Sequence, residues 1–109
     1  MMTNFLRSGA RIPVQLPVEI SWKTRAGRSQ RAQGTTTTMS GNGLFMTVPV
    51  RLRDSTPISI VVSLPVEITR TPLQLFCQGR VVKQDKSNTI PGIGAIIDDY
   101  RFRPTHREV

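Results

Sequence analysis

Apolar and polar residues alternate along most of this chain, and helical spacing of apolar positions is almost absent. Alternation with period two predicts β-strands that bury one face. The clearest runs from Val14 to Trp22: Val14, Leu16, Val18, Ile20 and Trp22 share one face, and Gln15, Pro17, Glu19 and Ser21 the other. Trp22 is expected to fill the core. Pro17 carries no N–H, so an edge position or a bulge is expected there. Lys23 to Ser29, with Gly27, reads as a polar hairpin loop, and Gln30 to Met39 as the returning strand, which ends in strand-favouring threonines, Thr35 to Thr38. Ser40-Gly41-Asn42-Gly43 reads as a turn, because Asn-Gly tolerates positive φ. Leu44 to Val48 is a third strand stopped by Pro49. Ile58 to Leu64 is a fourth between Pro57 and Pro65, with Ile58, Ile60, Val62 and Leu64 on one face. Leu73 to Lys83 alternates less cleanly, and Gly79 within it predicts a bulge or a strong bend. Asp85 to Pro91 is a polar loop. Gly92 to Asp98 is the last strand, with Ile93, Ala95 and Ile97 on one face. The charged end from Asp99 to Val109 is expected to be loose or to hold one turn at most, since Pro104 cuts a helix short.

Short strands separated by turn signals predict an all-β fold, a sandwich or a barrel. A chain this short satisfies its sheet edges most simply by closing the sheet, which favours a six- or seven-stranded antiparallel β-barrel. A length of 109 residues fits a single domain. It divides into an N-terminal arm over 1–13, a barrel over 14–103 and a tail over 104–109.

Composition narrows the chemistry. The single cysteine, Cys77, excludes a disulfide within the chain and a thiolate zinc site. Its mid-strand position predicts a buried, inert thiol and fits a reducing compartment. His106 is the only histidine, which excludes a histidine triad or a multi-histidine metal site. The seven acids are scattered, and the adjacent pair Asp98 and Asp99 would face opposite ways on a strand. No phosphate-binding loop with Lys-Ser/Thr is present. No catalytic constellation is legible, and no enzyme activity, metal or cofactor is expected. No apolar run approaches the roughly 20 residues that span a bilayer, so a cytoplasmic protein is expected.

Charge points to a partner. Fifteen Lys and Arg face seven Asp and Glu, for a net charge of +8. Most of the cations are arginine, whose planar fork bonds phosphates and base edges and whose face stacks on rings. An anionic partner follows. Arg51, Arg53, Arg101 and Arg103 read as surface charge.

Two segments concentrate candidate chemistry. One is Arg7-Ser8-Gly9-Ala10-Arg11, immediately before the first strand. The other is Thr38-Met39-Ser40-Gly41-Asn42-Gly43, at the end of the second. This arrangement resembles the PilZ domain family, receptors for the bacterial second messenger cyclic di-GMP. Arg7 and Arg11 match that family's Arg-x-x-x-Arg motif. Ser40 and Gly43 match the last two fixed positions of its Asp/Asn-x-Ser-x-x-Gly motif, while Thr38 stands where the family has Asp or Asn. "RIPVQLPVEI", "GLFMTV", "GRVVKQ" and "GIGAIID" resemble the family's frame, and the likeness extends over residues 5–103.

The resemblance implies a barrel of PilZ type with a flexible N-terminal arm, cyclic di-GMP as ligand, and a protein partner whose contact is switched as ligand orders the arm. Arg7 and Arg11 would clamp phosphates and guanine edges. Ser40 would bond a phosphate or base edge, and Gly43 would permit a positive φ and close approach of the ligand. Gly41 and Asn42 are secondary candidates, through backbone N–H groups that could form an anion-binding nest. A threonine at 38 accepts fewer hydrogen bonds from guanine N1 and N2 than a carboxylate does. Two other readings remain: a degenerate family member serving as a protein-interaction adaptor with weak or no nucleotide binding, and a small barrel for single-stranded nucleic acid. The aromatic content of 6% argues against the last, since base-stacking surfaces need several exposed rings.

Overall fold

The computed structural model describes residues 12–65, 70, 72–85 and 92–104. Seven strands follow in chain order: β1 Ile12–Pro13, β2 Pro17–Lys23, β3 Ser29–Met39, β4 Gly43–Thr47, β5 Pro57–Leu64, β6 Leu73–Asp85 and β7 Gly92–Pro104. All pairings are antiparallel. The order β3-β2-β5-β6-β7-β4 closes on itself because β4 also pairs with β3. The result is a six-stranded barrel with β1 outside the ring, as the alternating pattern predicts.

Val18, Ile20, Ile58, Ile60, Val62, Ile93 and Ala95, which the pattern assigns to inward faces, are buried, and Ile97 packs against them. Leu44 and Met46 of β4 are buried with them. Trp22 departs from expectation. It sits beside the turn of the β2–β3 hairpin, opposite Gln30, and is only half-buried against the core. Gly27 turns that hairpin with φ 85°, and the Thr24 N–H closes it on the Arg28 carbonyl at 2.8 Å.

The first strand differs from expectation at its start. It begins at Ile12 rather than Val14 and is interrupted at Val14–Leu16. β1 and β2 lie along the same edge of β3, with the register advancing by one residue between them. This is the irregularity that Pro17 announced; the proline itself opens β2, where no ladder donor is needed. Thr36 holds the interruption in place. Its fully buried hydroxyl donates to the Val14 carbonyl at 2.6 Å and accepts the Leu16 N–H at 2.8 Å. Its own N–H reaches the Leu16 carbonyl at 2.9 Å.

The last strand corrects a second expectation. β7 does not stop at Asp98 but continues to Pro104, opposite Leu73–Gln78. The charged residues there are compatible with a strand because every position from Asp98 to Pro104 is exposed. Gly79 marks the expected bulge. The register shifts between Gln78 and Gly79, and a Cβ at Gly79 would collide with the Ile96 carbonyl oxygen.

A corner built by the β3–β4 turn

The second motif folds into a corner where β3 hands over to β4. The ladder between them shifts at Thr36–Thr38, leaving Thr37 as the additional residue, with its hydroxyl on the Phe45 carbonyl at 3.1 Å. Ser40 is 2% exposed. Its N–H donates to the Gly43 carbonyl at 2.9 Å, and its hydroxyl lies 3.0 Å from Asn42 Oδ1 and 3.3 Å from the Gly43 carbonyl. Ser40 therefore ties the turn to itself, and its N–H is already engaged. The Asn42 carbonyl accepts the Ile97 N–H at 2.9 Å, fastening the turn to β7.

Gly43 is needed here for a different reason than the sequence suggests. Among the described residues Gly27 is the only glycine with positive φ, so the turn uses no left-handed glycine. A Cβ at Gly43 would instead sit 2.9 Å from the Ala95 carbonyl oxygen. The glycine lets β4 approach β7 closely where the barrel closes.

The outer face beside this turn forms a shallow cleft of about 280 Å³, bordered by Asn42, Phe45, Val82 and Ile96 and floored by Gly94. Leu44 and Met46 point inward, which turns Phe45 outward. Thr38 is paired with Phe45 on one side and Pro13 on the other, so all three share the outer face. The structure thus gathers Thr38, Gly41, Asn42 and Gly43 around one corner, with Ser40 beneath it. The apolar members Phe45, Val82 and Ile96 were not singled out from the sequence. Phe45 and Ile96 were legible there as apolar residues on faces that alternation assigns to solvent; Val82 is displaced outward by a register shift between Val81 and Lys83.

Arg7 and Arg11 lie outside the described residues. Their point of attachment is described: Ile12 is paired with Met39, the residue before Ser40. The segment carrying both arginines is therefore tethered at this corner, and five residues of chain reach at most about 18 Å. A larger cleft, of about 440 Å³, is lined by Ser21, Trp22, Lys23 and Ser29 among others, at the opposite end of β3 and away from both motifs.

Elsewhere the described surface is unremarkable chemically. Arg51, Arg53, Arg101 and Arg103 are exposed, as expected, and the Arg103 guanidinium stacks over Phe76 at 4.8 Å. Arg80 pairs with Asp98 at 2.7 Å in an exposed bridge of little energetic weight. Cys77 is buried, and burial first, then the charge of Asp99, push its thiol up to about 12. Among the described residues no group of three or more His, Cys, Asp or Glu is placed to hold a metal, and no helix is long and apolar enough to cross a membrane.

The sequence matches no family model and no curated protein. Solved structures do match. The inhibitor of motility of Bacillus subtilis (MotI/DgrA) superposes with a TM-score of 0.65 at 14% identity, over 87% of this chain and 44% of that one. The chain thus spans less than half the length of that protein. The PilZ domain of CeSA from a cellulose-synthesizing bacterium superposes with a TM-score of 0.55 at 25% identity, over 83% of this chain and 82% of that domain. The protein is an all-β, PilZ-like domain.

Proposed function

We propose that this domain is a receptor for cyclic di-GMP, binding it at the corner between the N-terminal segment and the β3–β4 turn. The reading rests on one observation: β1 fastens the residue after Arg11 beside Met39, next to the Ser40–Gly43 turn. Two cationic forks on a tether of this length can meet a ligand carrying two phosphates and two guanines. Arg7 and Arg11 supply bonds to phosphate or to guanine O6 and N7. Phe45 and Ile96 offer an apolar wall for a purine face beside Gly94. Asn42 and Thr38 present polar side chains at the rim, while Ser40 and Gly43 set the turn's shape. The domain works without catalysis, in the cytoplasm. Ligand fixes the arm against the barrel and so changes the surface met by a protein partner.

Isothermal calorimetry with cyclic di-GMP tests this. Saturable binding is expected, weakened at least tenfold by Arg7→Ala and by Arg11→Ala. An absence of heat at about 500 µM ligand, where a millimolar-grade site would still register, refutes it.

Thr38 favours a second reading, a protein-interaction adaptor that no longer responds to nucleotide. It predicts a partner retained in pull-down with no dependence on the dinucleotide. Oligonucleotide binding that falls steeply with salt and shows no preference for the cyclic ligand would instead point to nucleic acid.

A further inference from the structure

β7 is longer than the barrel uses. Its 13 residues pair with β6 along one edge. On the other edge β4 covers only Gly92–Ile96, and the Ile97 N–H is taken by the Asn42 carbonyl. From Asp98 to Pro104 no described strand pairs with that edge. Open edges are the part of a sheet that recruits another strand.

The side chains along this edge are ordered by a bulge. The register passes from Ile97 opposite Gly79 to Asp99 opposite Gln78, leaving Asp98 as the additional residue. Beyond it Tyr100 lies opposite Cys77 and Phe102 opposite Leu75, so both rings continue the core-facing side. Cys77 and Leu75 are 1% and 3% exposed, yet Tyr100 and Phe102 are 36% and 41% exposed. The inner face simply runs out past the barrel, carrying two rings in edge-to-face contact with centroids 6.3 Å apart. Asp99, Arg101 and Arg103 occupy the opposite face.

We propose that this edge pairs with the same edge of a second copy, antiparallel, about a two-fold axis through Arg101. The sequence Asp99-Tyr100-Arg101-Phe102-Arg103 is complementary to itself in that register. Asp99 meets Arg103 of the second copy, twice by symmetry, and Tyr100 meets Phe102, also twice. Aromatic and opposite-charge cross-strand pairs are the favourable kinds. The two β4 strands fall at opposite ends of the shared edge and do not obstruct it. The one unfavourable contact sets the two Arg101 side chains face to face at the axis, on the solvent side, where salt screens them.

Sedimentation equilibrium over roughly 10 µM to 1 mM tests the pairing. The wild type is expected to pass from monomer to dimer. Asp99→Arg and Arg103→Asp each turn two attractive pairs into repulsive ones and weaken the dimer roughly tenfold. The double variant Asp99→Arg/Arg103→Asp returns to within about threefold of wild type, and Arg101→Thr tightens the dimer. All three positions are exposed, so the barrel stays folded, which circular dichroism verifies. A monomer throughout the range overturns the proposal, as does a double variant no better than the singles. So does concentration-independent protection of those amides of Tyr100–Arg103 that point away from β6, which would mean that the free edge is covered from within the chain.

Discussion

Replacing Thr36 by valine probes how the corner is built. Valine keeps the shape and the β-branch but removes the hydroxyl that donates to the Val14 carbonyl and accepts the Leu16 N–H. Thr36 is 0% and Leu16 9% exposed, so water cannot replace the lost acceptor for the Leu16 N–H. An orphaned buried donor is destabilising by about 1–3 kcal/mol. Val14 is half-buried, so its carbonyl recovers part of its hydration and adds only about 0.5–1 kcal/mol. The sum is about 1.5–4 kcal/mol, with its middle at about 2.5. With a urea m-value of about 1–1.5 kcal/mol/M for a chain of this size, the unfolding midpoint falls by about 2 M. Thr36→Ser retains both hydrogen bonds, loses one methyl, and is expected to be destabilising by only about 1 kcal/mol. Because the interruption at Val14–Leu16 joins β1 to the barrel, Thr36→Val is also expected to weaken cyclic di-GMP binding under conditions where the barrel remains folded. A Thr36→Val midpoint within 0.3 M or so of wild type, or a serine variant as unstable as the valine, refutes the role assigned to the hydroxyl.

Other consequences are as direct. Thr38→Asp places a carboxylate on the outer face beside Phe45, and calorimetry should show cyclic di-GMP affinity rising by roughly one to two decades, the worth of a good base-edge hydrogen bond. Gly43→Ala forces a Cβ to 2.9 Å from the Ala95 carbonyl oxygen, and thermal unfolding should report a loss of about 1–3 kcal/mol from the strand displacement. The Cys77 thiol, pushed up to about 12 from 9.0, stays protonated in the fold while the unfolded chain ionises at its ordinary value. The stability this confers is present below pH 9 or so and is lost as pH rises toward 12, with a slope of at most about 1.4 kcal/mol per pH unit. Cys77→Ala should flatten that part of the stability–pH curve, and the native thiol should resist alkylation at pH 8 until denaturant is added.

The strands were legible because their signal is local. Alternation is a property of consecutive residues, and it names Val18, Ile20, Ile60, Val62, Ile93 and Ala95 as inward wherever the strands end up. Turn residues marked the hairpin at Gly27 and the corner at Ser40 for the same reason. The carboxyl end of β7 carries the same alternation, with Tyr100 and Phe102 set between charges, but its charge and Pro104 masked that signal. That it pairs with Leu73–Gln78 was not legible. Nor was the half-exposure of Trp22, which depends on how far β2 and β3 project beyond the core.

Period two, the proline and glycine punctuation and the paired motifs thus determined by themselves an antiparallel all-β domain and the residues around its candidate site. Only the folded chain decided what each of those residues does. Ser40 turned inward to hold its own turn, and Gly43 proved to be a matter of clearance from Ala95 rather than of φ. Thr36, one threonine among four, became the polar fastening of the first strand. Each of these depends on which distant backbone is brought within a few ångströms, and closure of the barrel, with its bulges and stagger, sets that distance.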